Sequence, residues 1–254
     1  MLDITAWVVF LLVLIRVTAF LVASPVFAMR NIPNSLKIGF GFILALVLTP
    51  QLLKQQVVLP EHFIKIIGMV INETIVGLIA GLGASMLMTA IQVAGQYLDL
   101  QAGFAMAQVY DPARGINNTL IGQFLYILGL ILFFSTDAHH SLILALAKSF
   151  EILELGSFHV SGSLFLKLLQ IFLMMFTYAL RIAIPVILVL LIIDLSLGYM
   201  TRIVPQLNIF MSGFPLKIGF GLLMLALLVP VVGSVVGSLF QTVEKELMQV
   251  FGGL

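Results

Sequence analysis

Charge is scarce in this chain. Acidic and basic side chains make up 9% of 254 residues, against 61% apolar. A soluble domain usually carries about 25% charge. So little polar material cannot cover a water-facing surface of this size, which excludes an ordinary soluble globule. The chain reads as an integral membrane protein or as part of a large apolar assembly. Cysteine is absent, so neither disulfides nor thiolate chemistry enter. The net charge of +1 gives no case for nucleic acid or an acidic substrate. No HExxH, GxSxG or Walker pattern occurs, so the usual signatures of hydrolysis and nucleotide use are missing. The opening MLDITAW has no basic n-region of a cleavable signal, and the first apolar run is expected to be retained.

Long continuous apolar runs are what the chain does contain. Lipid demands that every backbone polar group be satisfied within the segment, which favours helix. A β-barrel would show short alternating segments instead. The expected class is all-α, built of integral-membrane-type helical hairpins with kinked helices. The first run, Ile4 to Ala28, exceeds the roughly 20 residues of one crossing. Arg16 interrupts it, and Ser24-Pro25 breaks it near its end. The second runs from Leu36 to Leu53, with its boundary at Thr49-Pro50 and Lys54-Gln55-Gln56. Pro60-Glu61 opens a third helix, from about His62 to Leu98. That helix carries Glu73, Gly77, Gly81, Ser85 and Thr89 at four-residue spacing, a face on which another helix can approach closely.

Leu120 to Phe134 is the next apolar run. Asp137 is placed as an N-cap or first-turn acid for a helix from Ser141 to Phe150. A polar link, Glu151 to Gly162, follows. The run Leu164 to Ile193 contains Arg181 and Pro185 and is ended by Asp194. A mixed stretch, Leu195 to Gly213, precedes the last run, Leu216 to Phe240, and an amphipathic tail. One hexapeptide occurs twice: Leu36-Lys37-Ile38-Gly39-Phe40-Gly41 returns as Leu216-Lys217-Ile218-Gly219-Phe220-Gly221. Each copy has a proline shortly before it (Pro33, Pro215) and another after it (Pro50, Pro230). The echo fits either a repeat or two uses of one helix-start design.

A polar island, Gly95 to Asn118, divides the apolar runs. Asp111-Pro112 and Gly115-Ile116-Asn117-Asn118 disfavour helix. Phe104, Met106, Val109, Tyr110 and Ile116 are mixed into it, more apolar side chains than a solvated loop needs. Two readings stand: a surface loop with an apolar anchor, or a flexible segment lining or closing a cavity between helices.

Arg16, Glu73, Arg181 and Asp194 lie in or beside apolar runs. An ionisable group at bilayer depth costs roughly 2.5–3.5 kcal/mol, so each needs a protein partner or a wet cavity. Pairing between helices or subunits is favoured over an ion pathway. Arg181 and Asp194 cannot pair within one straight helix, since thirteen residues at 1.5 Å rise separate them by about 20 Å. Asp137, His139 and His140 suggest a metal site, but adjacent helical residues point apart, and no second cluster supplies further ligands.

Arg202-Ile203-Val204-Pro205-Gln206-Leu207-Asn208-Ile209-Phe210-Met211-Ser212-Gly213-Phe214-Pro215-Leu216-Lys217 resembles the signature of the FliR family, export-gate subunits of the bacterial flagellar type III secretion apparatus. Arg16 with Ser24-Pro25-Val26-Phe27, Glu73 with Gly77 and Gly81, and Gln101-Ala102-Gly103-Phe104 with Asp111-Pro112 are similar to further family segments. Asp137-Ala138-His139-His140 departs from the family only in having Ala138 where glycine is usual. The resemblance covers the whole chain. It implies a single export-gate domain over 1–254, helical over 1–98 and 119–254, within a spiral gate with FliP and FliQ and with FlhB near its cytoplasmic entrance.

The resemblance further implies that 104–118 is a central plug, with Phe104, Met106, Val109, Tyr110, Asp111, Pro112, Arg114 and Gly115 as gate residues. Arg16, Glu73, Gly77, Gly81, Arg181, Asp194, Arg202, Pro205, Gln206, Asn208, Phe210, Pro215 and Lys217 are then helix-packing or subunit-contact residues. Apolar side chains can shut such a pore by dewetting, and Gly and Pro breaks let a loop swing aside. The expected role is a non-enzymatic channel subunit of the bacterial inner membrane and flagellar basal body, passing unfolded flagellar proteins, with membrane lipid as surroundings and no cofactor. The rivals are a secondary transporter coupled through Glu73, Arg181 and Asp194, and a metalloenzyme using Asp137, His139 and His140.

Overall fold

A computed structural model describes residues 4–29, 32–53, 62–104, 119–158, 162–204 and 209–252. No strand occurs among them. The helices are α1 (Ile4–Ala23), α2 (Asn34–Leu53), α3 (Phe63–Ala102), α4 (Leu120–Ser135), α5 (Ala138–Ile152), α6 (Gly162–Ile203) and α7 (Ile209–Gly252). The fold is therefore all-α, as the apolar runs require. Five helices, α1, α2, α3, α6 and α7, are long and apolar enough to cross a membrane. Counting α4 and α5 as one interrupted span raises the number to six.

Helix ends follow local chemistry. Pro25 disfavours helix at Ser24, and α1 stops at Ala23. The Ser24 N–H donates to Phe20 O at 2.8 Å and its hydroxyl to Leu21 O at 3.1 Å, so the last turn is closed. Helix α2 starts directly after Pro33, whose carbonyl accepts from Leu36 N at 3.0 Å.

Two sequence expectations fail in the C-terminal part. Asp194 does not end α6, which continues to Ile203. The last helix begins at Ile209 rather than Leu216 and absorbs Pro215, Pro230 and the tail. A drop in hydropathy is not a helix end, because continuity depends on the backbone ladder. Each internal proline removes one donor, but in apolar surroundings unwinding would strand many more groups.

The chain forms two compact units. The first comprises Met1–Leu87, Asp137–Phe172 and Gln241–Leu254; the second comprises Met88–Thr136 and Leu173–Phe240. In the first, α1 packs on α2 through Phe10 against Phe42, and Phe27, in the turn after α1, stacks on Phe40, each pair 5.3 Å between ring centroids. Helix α1 also meets α3. A Cβ at Gly77 would strike the Arg16 carbonyl, and one at Gly81 would lie 2.6 Å from Phe20 O and Ala23 Cβ. Ser85 Oγ donates to Ala23 O at 2.5 Å on the same face. Backbones come this close only where the intervening residue is small.

In the second unit, Gly95 of α3 lies against Gly122 of α4. A Cβ on Gly95 would sit 2.6 Å from Gly122 N and 2.9 Å from the Ile121 carbonyl carbon. Ile91, Leu98, Leu125, Ile182, Leu190 and Val236 are buried in this unit.

Candidate functional site

A buried pair of opposite charges lies in the first unit. Arg16 and Glu73 are each 1% exposed. Arg16 Nε donates to Glu73 Oε2, and Nη2 donates to Oε1 at 3.1 Å. The guanidinium then spans to a third element: Nη1 donates to Ser149 O at 3.1 Å and Oγ at 3.3 Å, and Nη2 to Leu153 O at 3.2 Å. Every N–H of the fork thus has an acceptor. The Phe150 ring covers the guanidinium, with 4.1 Å from Cζ to its centroid.

Glu73 is equally occupied. Its Oε1 also accepts from Gly156 N at 2.8 Å, and Asn72 Nδ2 donates to Gly156 O at 3.1 Å. Gly156 adopts φ +76, and a Cβ there would lie 2.5 Å from Met69 Cγ, so the turn after α5 needs glycine on two counts. A bidentate pair with full secondary hydrogen bonding is the arrangement in which buried charge is tolerated. Its effect here is to lock α1, α3 and the end of α5 together.

The second unit holds two polar contacts on either side of residues 105–118. Asp99, 1% exposed, accepts from Ile121 N and Gly122 N, one on each carboxylate oxygen, both at 3.1 Å. These are orphan donors of the first turn of α4. Thr119 stands at the N-cap but makes no side-chain cap hydrogen bond, so the cap comes from α3 instead. On the other side, Gln101 Nε2 donates to Asp194 Oδ2 at 3.1 Å, and Lys217 Nζ pairs with Asp194 Oδ1 at 2.8 Å. Gly103, at φ +91, presents its α-carbon to Phe214, whose Cε2 would be 2.7 Å from an added Cβ.

The remaining sequence-predicted residues divide by position. Of the plug residues only Phe104 is described; Met106, Val109, Tyr110, Asp111, Pro112, Arg114 and Gly115 lie outside the described residues. So do Pro205, Gln206 and Asn208, while Phe210 lies on α7. Arg181 is exposed, with its Cζ 5.5 Å from the Tyr178 ring centroid. Arg202 and Pro215 are exposed.

Asp137 departs from expectation. It stands at the N-cap of α5 but in left-handed backbone, φ 56, with no side-chain cap hydrogen bond. Its Oδ1 instead lies 3.5 Å from His140 Nδ1. Asp137 precedes the helix in left-handed backbone, and the His139 and His140 ring centroids lie 4.1 Å apart although both residues are helical. Donor atoms of Asp137, His139 and His140 therefore gather within 4.8 Å of one another.

Sequence reasoning did not single out Asp99, Ser149 or Gly156 as functional. Asp99 sits in a helical register with no local sign that it caps a helix beyond the next loop. Gly156 contributes through backbone groups, which side-chain chemistry does not announce, and Ser149 through its carbonyl as well as its hydroxyl.

Buried ionic locks, span-capable helices and a wide exposed apolar surface, with Ile64 82% and Leu195 67% exposed, define an integral-membrane-type helical subunit. Residues 7–243 match the family described as "Bacterial export proteins, family 1". The chain is 38% identical over 240 residues to the flagellar biosynthetic protein FliR of Bacillus subtilis (strain 168), covering 92% of each. It is 34% identical over 242 residues to FliR of Pectobacterium carotovorum, covering 95% of this chain and 92% of that one. With FliR of Escherichia coli (strain K12) the identity is 28% over 241 residues, covering 95% and 92%. The chain belongs to the FliR family of bacterial flagellar export proteins.

Proposed function

We propose that this chain is a non-enzymatic channel subunit of the flagellar export gate, passing unfolded flagellar proteins across the bacterial inner membrane. FliP and FliQ are its neighbours in the gate, and FlhB lies near the entrance. The segment 104–118 serves as the plug. One observation carries this reading: the residues flanking that segment are held by separate polar contacts, Asp99 on α4 and Asp194 on Gln101. A stopper that swings must be anchored at both ends, or its displacement would unravel its supports. The apolar residues Phe104, Met106, Val109 and Tyr110 suit a seal that excludes water by dewetting and re-forms around a passing chain.

Deleting Met106 to Gly115 tests it. The membrane should become leaky to ions or small molecules while the export complex still assembles. Unchanged conductance in an assembled complex overturns the plug. The transporter alternative asks Glu73 to exchange a coupling ion, yet its carboxylate is committed to Arg16 and Gly156 N. Loss of small-solute uptake on single substitution of Glu73, Arg181 or Asp194, with assembly intact, would restore that alternative.

A further inference from the structure

We propose that the surface cavity where α6 begins and α7 ends, within the first unit, holds the headgroup of an anionic phospholipid. The cavity measures about 700 Å³ and is lined by Lys167, Gln241, Lys245, Met248, Gln249 and Gly252. That is ample for a phosphodiester headgroup, since ligand pockets run from about 300 to 1,000 Å³. Two ammonium groups and two amides line it, and no carboxylate does so among the described residues. The N–H groups of these side chains match a phosphate.

The position on the helices selects a lipid over a free anion. Helix α7 changes character between Val231 and Gln241, where its exposed residues are Ser234 and Ser238. Before it, Leu222, Leu223, Leu227 and Val231 stand exposed. After it the helix is amphipathic: Val243, Leu247, Val250 and Phe251 are buried, while Gln241, Lys245 and Gln249, four apart, face the cavity. The change marks where the helix passes from an apolar to an aqueous setting.

Helix α6 marks the same boundary. Lys167 stands among Phe165, Leu166 and Leu169, which are 69%, 65% and 42% exposed. A lysine at such an edge extends its head toward water while its stem stays with the apolar side chains. Lys167 Nζ donates to Gln249 O, which holds the ammonium at the cavity and leaves further N–H donors for a ligand. An amphiphile satisfies both halves of this surface: its phosphate on Lys167 and Lys245, its acyl chains along Phe165, Leu166 and Leu169. A basic recess beside membrane helices is a recognised arrangement for anionic headgroups.

Native mass spectrometry of the full chain released from neutral detergent tests the assignment. The probes are phosphatidylglycerol, phosphatidylcholine and inorganic phosphate. Phosphatidylglycerol should be retained in preference to phosphatidylcholine, and Lys167→Ala with Lys245→Ala should reduce that preference by about tenfold. Lys167→Arg with Lys245→Arg should keep it, which separates lost charge from lost folding. Lys37→Ala, on α2 and hydrogen-bonded to Met29 O, should leave it unchanged. Equal retention of the two lipids, or an unaltered preference in the double alanine variant, overturns the proposal. Displacement of phosphatidylglycerol by millimolar inorganic phosphate also overturns it, because the site would then recognise a small anion alone.

Discussion

Arg16 has no route to water, so its charge is tolerable only while Glu73 answers it. Removing one partner of a buried pair strands the other. Glu73→Ala should therefore destabilise the chain by about 3–5 kcal/mol, measured as loss of the folded form in detergent or as a lower steady-state level. Combining Glu73→Ala with Arg16→Met should recover much of that loss, because an apolar replacement of both partners removes the stranded charge. If the double variant were as poor as the single one, the pair would be contributing more than mutual neutralisation. Sequence pattern alone marks both residues as charges out of place. It could not match them to each other, because that pairing depends on α1 and α3 crossing at Gly77 and Gly81. Nor could it foresee Leu153 O as an acceptor, since every residue has a carbonyl and only the fold selects one.

At the scale of helices, α3 offers a clean contrast between what spacing reveals and what it hides. Gly77, Gly81 and Ser85 stand at intervals of four on one helix, so their shared face is visible as soon as the helix is assigned. Gly95 and Gly122 also meet, but a loop separates them and nothing local links the two. Gly95→Val should force α3 and α4 apart. Hydrogen exchange at the amides of Leu125 and Gly129 should then quicken, with a stability loss of at least about 1 kcal/mol. Asp99→Ala removes the acceptor for Ile121 N and Gly122 N and should cost roughly 0.5–2 kcal/mol, in the range of a lost helix cap. Exchange should accelerate first at those two amides. Uniform acceleration along α4 would instead mean that Asp99 supports general packing. Helix ends were less legible than helix faces. Asp194 looked like a terminus because it interrupts an apolar run, yet Lys217 and Gln101 meet its charge and the backbone passes through unaffected.

For the molecule as a whole, apolar composition pointed to helices in a membrane or in a large apolar assembly, since no water-facing globule can be built from so few charges. The division into two compact units was not legible, because α3, α6 and α7 contribute to both and no linker composition marks the change. Exposed apolar surface remains on α2, α6 and α7, including Leu36, Ile43, Val47, Phe165 and Leu227. A surface of that kind on an export-family subunit calls for lipid or protein cover. The chain expressed alone should therefore be polydisperse in mild detergent by light scattering and sharpen when its native complex is co-expressed. A monodisperse monomer would show that lipid or detergent alone suffices.

The twice-used hexapeptide divides its two glycines in the same way in both places. A methyl on Gly41 would meet Thr18 Cγ2 at 2.9 Å, and one on Gly221 would meet Ala102 Cβ at 3.4 Å, whereas Gly39 and Gly219 have nothing within 4 Å. Inside this chain the outer glycines are thus spare room: alanine there meets no obstacle and should firm each helix by up to about 1 kcal/mol. If Gly39→Ala and Gly219→Ala gave a sturdier polypeptide that no longer exported, the vacancy would belong to a neighbour's backbone rather than to this one.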